Sequence, residues 1–131
     1  MKKRYKFVHK AHSEEERNEF IESVTEKLSK AVEDKAIDAW FFNWAESDRK
    51  DRKDAEKVVN TLLGGKWRFV HIWGNFTNVG EGWFANDKYG IYVTLACFDE
   101  EGEEFIDTFD VMTTEQVAHI YGSVDNIENK R

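Results

Sequence analysis

The chain has 131 residues, a net charge of −7 and no proline, and 40% of its residues are hydrophobic. This length fits one domain with a sizeable core, and five Trp, four Tyr and ten Phe exclude a low-complexity chain. The single cysteine excludes an internal disulfide, and no apolar run approaches the roughly 20 residues that span a bilayer. Because no signal-peptide pattern follows Met1, we predict a cytoplasmic protein.

The first predicted elements are a strand, a helix and a second strand. Residues 4–11 alternate with the two-residue period of a strand. Ser13 and Glu16 have the spacing of a capping box, and apolar residues then recur at helical spacing, which predicts a helix over 14–34. The aromatic segment 38–44 is too short for a helix and predicts a largely buried strand.

A second helix and a third strand follow. Apolar residues at i, i+3, i+4 and i+7 predict a helix over 48–63, and Gly64 is placed to end it. Residues 67–73 alternate as a strand. Residues 74–87 are rich in Gly and Asn and predict a loop or wide hairpin.

The last part of the chain predicts a hairpin and a closing helix. Residues 89–98 and 103–112 form the two predicted strands, joined by an acidic turn that contains a glycine. Thr113 and Gln116 form a second capping box, which predicts a short helix that ends near Gly122.

These elements predict an α+β fold with a mixed five-stranded sheet in the order β-α-β-α-β-β-β-α and helices mainly on one face. We expect residues 1–124 to form this single domain and residues 125–131 to form a flexible polar tail. Because aromatic residues occupy both faces of several strands, the uncovered face should bind a second subunit, and we predict a homodimer. The alternative is that residues 74–87 fold back over that face.

The charge is asymmetric along the chain. Residues 89–128 contain ten acidic residues and no Lys or Arg, whereas residues 1–88 contain seventeen basic and sixteen acidic residues. A surface of one sign repels nucleic acid and anionic lipid and attracts cationic surfaces. We therefore expect no direct nucleic-acid binding and no membrane association.

No catalytic motif stands out. Cys97 with His71 or His119 could form a nucleophile and base, but a cysteine in an apolar strand is usually a small buried hydrophobe. No histidine, cysteine and carboxylate pattern has metal-ligand spacing, and the glycines of residues 80–85 precede a strand where a dinucleotide fingerprint needs a helix. We predict no enzyme activity, no cofactor and no bound metal, with a small hydrolase as the enzymatic alternative.

The segment around the Gly- and Asn-rich loop is the predicted ligand site. Aromatic planes for stacking, amide side chains for hydrogen bonds and a nearby cation suit a small nucleotide-like ligand. The alternative is that Asn and Gly form ordinary turns and the rings anchor the loop on the core. The predicted ligand-binding residues are Trp73, Asn75, Asn78, Trp83, Phe84, Asn86 and Arg68.

The acidic turn is the predicted partner-binding site. A run of carboxylates at a hairpin tip is usually a solvated turn, but it could also dock on a cationic or nucleic-acid-binding protein. The residues concerned are Asp99, Glu100, Glu101, Glu103 and Glu104. We thus predict a non-enzymatic cytoplasmic binding protein that sequesters a nucleotide-like ligand, or alternatively an acidic inhibitor or adaptor, such as a bacterial or phage accessory protein.

Overall fold

A computed structural model describes residues 13–37, 49–74, 80–97 and 105–128. These residues form an α+β fold in which two long helices precede a sheet and two short helices follow it. In chain order the elements are α1 (Glu14–Glu33), α2 (Arg49–Leu63), β1 (Arg68–Gly74), β2 (Gly80–Asn86), β3 (Ile91–Ala96), β4 (Thr108–Thr113), α3 (Thr114–Tyr121) and α4 (Asp125–Glu128). The predicted fold class is therefore confirmed.

The sheet within the described residues is four-stranded and antiparallel, in the order β1-β2-β3-β4. The predicted mixed five-stranded sheet is not confirmed, and its strands at 4–11 and 38–44 lie outside the described residues. The sheet also contains β2, which lies inside the segment predicted as a loop. Gly82 pairs with Ile72 on one side and Leu95 on the other, so partners from distant parts of the chain hold glycine in an extended strand.

Three helices begin or end at the capping residues predicted from the sequence. The Ser13 hydroxyl accepts a hydrogen bond from the backbone N–H of Glu16 at 3.1 Å, where α1 begins. Thr113 and Gln116 form a complete capping box at the start of α3. The fourth helix was not predicted: α4 occupies residues assigned to a polar tail, and Ile127 within it is buried. None of the described helices is long and apolar enough to cross a bilayer.

Helices α1 and α2 pack on one face of the sheet, as predicted for the two long helices. Side chains of alternate β3 residues, Ile91, Val93 and Leu95, join Phe84 of β2 in this layer. The helices contribute Val24, Leu28, Ala31, Ala55, Val59 and Leu63, all of them buried. We call this layer the first core.

Helices α3 and α4 pack on the opposite face. Val117 and Ile127 of these helices join Trp83, Ala85 and Tyr92 of the sheet in a second buried cluster, which we call the second core. Successive β2 residues contribute to the two cores in turn because side chains alternate across a strand. The face that was expected to need a second subunit thus carries helices of the same chain.

Candidate ligand cavity

A cavity of about 590 Å³ lies where α1, α2, the start of β1 and the β2–β3 turn meet. The chain reaches it from α2 through Gly64 and Gly65, which have φ values of 74° and 81°. Glycine adopts this left-handed conformation without the steric cost that other residues meet, so the chain can turn at once from helix to strand. The cavity is lined by Phe20, Glu56, Gly65, Lys66, Trp67, Arg68, Asn86, Asp87, Lys88 and Tyr89.

Three aromatic rings form one wall of the cavity. The Phe20 ring stacks on Tyr89, with 4.2 Å between centroids and 14° between planes, and it lies nearly parallel to Trp67 at 6.1 Å. Two hydrogen bonds fix Trp67: its backbone N–H donates to Asn60 Oδ1 and its indole N–H donates to the Gly64 carbonyl. The wall is therefore a rigid aromatic surface.

Asn86 supplies hydrogen-bond donors to the cavity. The residue is only 2% exposed, and its Oδ1 accepts the backbone N–H of Tyr89 at 3.1 Å, which fixes the β2–β3 turn. Its Nδ2 faces Gly65, where an added Cβ would lie 3.5 Å from it. Within the described chain, Nδ2 has no hydrogen-bond partner. Nδ2 is not among the buried unpartnered atoms of the described residues, so it is open to the cavity, where a water or a ligand acceptor can pair with it.

The charged side chains of the cavity differ in what they contact. One oxygen of Glu56 accepts the backbone N–H of Phe69 at 2.9 Å. Lys66 and Lys88 are exposed, and the Lys88 ammonium lies 5.4 Å from the centroid of the Tyr89 ring. Neither lysine forms an ion pair with the residues that the structure describes. Lys66 and Lys88 thus lie at the exposed mouth of the cavity, which the carboxylates of Glu56 and Asp87 also line.

Arg68 connects the cavity to the C-terminal helix. Its guanidinium donates two hydrogen bonds to Asp87, both at 3.0 Å, and two to Glu128, at 2.8 and 3.0 Å. Tyr92 also donates its hydroxyl to Glu128. Burial lowers the pKa of Arg68, but the hydrogen bonds and charges of Glu128 and Asp87 outweigh burial and raise the pKa above its usual value.

The structure separates the predicted ligand-binding residues. Asn86 and Arg68 line the cavity, whereas Trp83 and Phe84 are fully buried, one in each core. Trp73 lies in β1. Asn75 and Asn78 lie outside the described residues, as do the predicted partner-binding residues Asp99, Glu100, Glu101, Glu103 and Glu104.

The aromatic wall was missed by the sequence analysis, which assigned its rings to separate elements. Phe20 belongs to the apolar stripe of α1, and Trp67 and Tyr89 are the first residues of the predicted strands 67–73 and 89–98. A local signal was present, since Trp67 and Tyr89 each adjoin a glycine-containing turn. Their convergence on Phe20 depends on tertiary packing and has no sequence signature.

Of the residues considered for catalysis, Cys97 and His119 lie on opposite faces of the sheet. Cys97 is 3% exposed in the first core, whereas α3, which carries His119, packs on the opposite face. His71 lies in β1. In the described ranges, no three His, Cys, Asp or Glu side chains converge as they would to hold a metal ion. Comparison with protein families, curated proteins and solved structures found no match.

Proposed function

We propose that the protein is a non-enzymatic binding protein that holds a small nucleotide-like ligand in this cavity. The observation that carries the proposal is the Asn86 side chain, which lines the cavity and whose Nδ2 is open to it with no partner among the described residues. Its two N–H groups suit a carbonyl oxygen or ring nitrogen of a nucleobase. The volume of about 590 Å³ also falls within the usual range for small-molecule sites.

The aromatic wall of the cavity favours a planar ligand. A ring that packs against the half-buried Phe20 and Tyr89 rings replaces water on aromatic carbon, and such contacts contribute about 1–3 kcal/mol per base in nucleic-acid complexes. Because Trp67 is held by two hydrogen bonds, little side-chain entropy is lost when the ligand binds.

The lysines at the mouth support an anionic ligand. Lys66 and Lys88 can reach a phosphate without first breaking an ion pair to a described residue. Arg68 already shares its charge with Asp87 and Glu128, so its contribution is to join the β2–β3 turn to α4 rather than to bind the phosphate. A nucleoside monophosphate combines the ring and the charge that these features select.

The test compares two isosteric substitutions. Asn86→Asp keeps the oxygen that accepts from Tyr89 but removes both donors. Asn60→Asp makes the same charge change at an asparagine whose oxygen also accepts a backbone N–H but which does not line the cavity. We expect calorimetry with AMP, GMP, CMP and UMP to find binding, weakened about tenfold or more by Asn86→Asp and little changed by Asn60→Asp.

Two results would contradict the proposal. The first is that none of the four nucleotides binds the wild-type protein. The second is that both substitutions have the same effect. If Asn86→Asp does not fold, the double substitution Lys66→Gln and Lys88→Gln, made at exposed positions, should weaken binding of a nucleotide much more than binding of its nucleoside.

Other predictions from the sequence stand beside this proposal. Docking of the acidic turn on a cationic protein, as an inhibitor or adaptor, rests on residues 99–104, which lie outside the described part of the chain. The homodimer was predicted from an uncovered sheet face, and α3 with α4 offers a cover for that face within one chain. The cytoplasmic location and a role as a bacterial or phage accessory protein also stay predictions.

A further inference from the structure

The ligand cavity also contains a hydrogen-bond acceptor, the carboxylate of Glu56 on α2. Its Oε2 accepts the backbone N–H of Phe69 at 2.9 Å, which fixes the carboxylate beside β1. Within the described part of the chain, Oε1 has no hydrogen-bond partner and Glu56 forms no ion pair. The residue is half-buried, and Oε1 is not among the buried atoms that lack a partner, so water or a ligand can reach it.

Glu56 and Asn86 are complementary in the hydrogen bonds that they leave free. Each is held by a backbone N–H, that of Phe69 for Glu56 and that of Tyr89 for Asn86. The Oδ1 of Asn86 is used in this way, so Asn86 offers a ligand its donors, whereas Glu56 offers only acceptors. Asn86 and Tyr89 belong to the same turn, so a base that packs on the Tyr89 ring lies next to the Asn86 amide. The cavity thus offers a ligand fixed donors and fixed acceptors.

The charges of the cavity orient a nucleotide within it. A carboxylate repels a phosphate, so the phosphate should lie at Lys66 and Lys88 and the edge of the base at Glu56. Asp87 also lines the cavity, but it is paired with Arg68 at 3.0 Å. Glu56 is therefore the lining carboxylate that can accept hydrogen bonds from the base without giving up an ion pair.

We infer that the base held in this cavity is guanine, an inference that rests on the proposed function. The Watson–Crick edge of guanine presents the O6 acceptor, the N1–H donor and the N2 amino donor in a row. The two adjacent donors match the carboxylate of Glu56, because each oxygen can accept two hydrogen bonds and Oε2 has used one on Phe69. The O6 acceptor beside them matches the free donors of Asn86.

The other common bases place an acceptor where guanine has a donor. In adenine and cytosine, the amino group adjoins a ring nitrogen whose lone pair would face the carboxylate. In uracil, the N3–H group lies between two carbonyl oxygens. A lone pair held against a carboxylate oxygen is repelled, and a donor that is absent leaves the carboxylate without its hydrogen bond. Glu56 is therefore the residue that discriminates between the bases.

Inosine monophosphate (IMP) isolates this contact, because it differs from GMP only in lacking the N2 amino group. With the wild-type protein, calorimetry should give GMP an affinity at least about tenfold higher than those of IMP and AMP, as expected when a hydrogen bond to a charged group is lost. Glu56→Gln keeps an oxygen for Phe69 but removes the charge and one acceptor, and it should bring GMP and IMP within about twofold of each other. Asp54→Asn removes the same charge from α2 at a residue that does not line the cavity, and it should preserve the preference for GMP.

The outcomes separate this inference from the proposed function. If no nucleotide binds the wild-type protein, both are overturned. If nucleotides bind but GMP is not preferred to IMP and AMP, the guanine assignment is wrong and the proposed function stands. Equal effects of Glu56→Gln and Asp54→Asn on the preference would also overturn the assignment. The comparison of GMP with IMP needs only the wild-type protein, so it tests the inference even if Glu56→Gln does not fold.

Discussion

Glu81 is a carboxylate placed where its ionised form is unfavourable. Burial and Asp110 raise its pKa above the ordinary value of 4.5, although Trp83 donates a hydrogen bond to it. A raised pKa means that the folded protein binds the proton more tightly than the unfolded chain does. Stability therefore falls as the pH rises from 4.5 through the folded pKa, and the loss persists at neutral pH.

We accordingly expect Glu81→Gln to raise the melting temperature at pH 7. Glutamine keeps an oxygen for the Trp83 indole but carries no charge. The difference from wild type should shrink as the pH falls through the raised folded pKa of Glu81, because wild-type Glu81 then takes up a proton in the folded state. Thermal unfolding followed by circular dichroism between pH 4.5 and 7.5 measures this dependence.

Glu115 on α3 is a control for Glu81, because its pKa is shifted in the opposite direction. Burial raises its pKa, but its own backbone N–H, Arg17 and Thr113 outweigh burial and lower the pKa below 4.5. Its charge therefore stabilises the fold above pH 4.5, and that contribution is lost as the pH falls through the folded pKa. Glu115→Gln should lower the melting temperature slightly at pH 7, since the Arg17 pair is exposed. If both variants respond to pH alike, the assignment to Glu81 fails.

At the scale of elements, Arg68 joins three parts of the chain that are distant in sequence. It contacts Asp87 in the β2–β3 turn and Glu128 in α4, and the Glu128 side chain is only 5% exposed. We expect Arg68→Met to lower the free energy of unfolding by about 2–3 kcal/mol, because it leaves the Glu128 carboxylate buried without its cation. Urea denaturation measures this loss.

The matched double variant separates charge from packing. Arg68→Met with Glu128→Gln removes the buried charge together with its partner, so the double variant should be more stable than the sum of the two single losses implies. Strictly additive losses would show that Arg68 supports α4 through its alkyl chain and not through the ion pair.

The elements also show how far the sequence could predict this fold. Caps and apolar spacing are local, so the boundaries of α1, α2 and α3 follow from residues in or next to each helix, such as the N-caps Ser13 and Thr113. Strand β2 could not be predicted in this way, because Gly82 becomes extended through pairing with Ile72 and Leu95. The cavity, like β2, depends on contacts between distant parts of the chain. Asn86 was predicted from its residue type, but the stacking of Phe20 on Tyr89 exists only after folding.

At the scale of the whole molecule, one sheet separates two cores. Leu28 on α1 and Val117 on α3 are both fully buried, one in each core. Because β2 and β3 contribute side chains to both cores, neither core can be lost without disturbing the other. The molecule should therefore unfold in a single transition.

Two substitutions test this coupling. Leu28→Ala should cost about 3 kcal/mol and Val117→Ala about 2 kcal/mol, through lost burial and the cavity left behind. Each should move the whole denaturation curve, with circular dichroism and tryptophan fluorescence reporting the same midpoint. A variant in which the two signals separate would show that one core melts before the other.

The position of Cys97 makes the rate of thiol modification a measure of how often the first core opens. Its sulfur is the one thiol in the sequence, and it lies 3% exposed beneath α1 and α2. A maleimide can attack it only when that layer separates from the sheet, so the speed of modification counts openings too brief for equilibrium methods to detect. A ligand that makes these openings rarer would be detected as slower labelling of Cys97, without any dye or engineered probe.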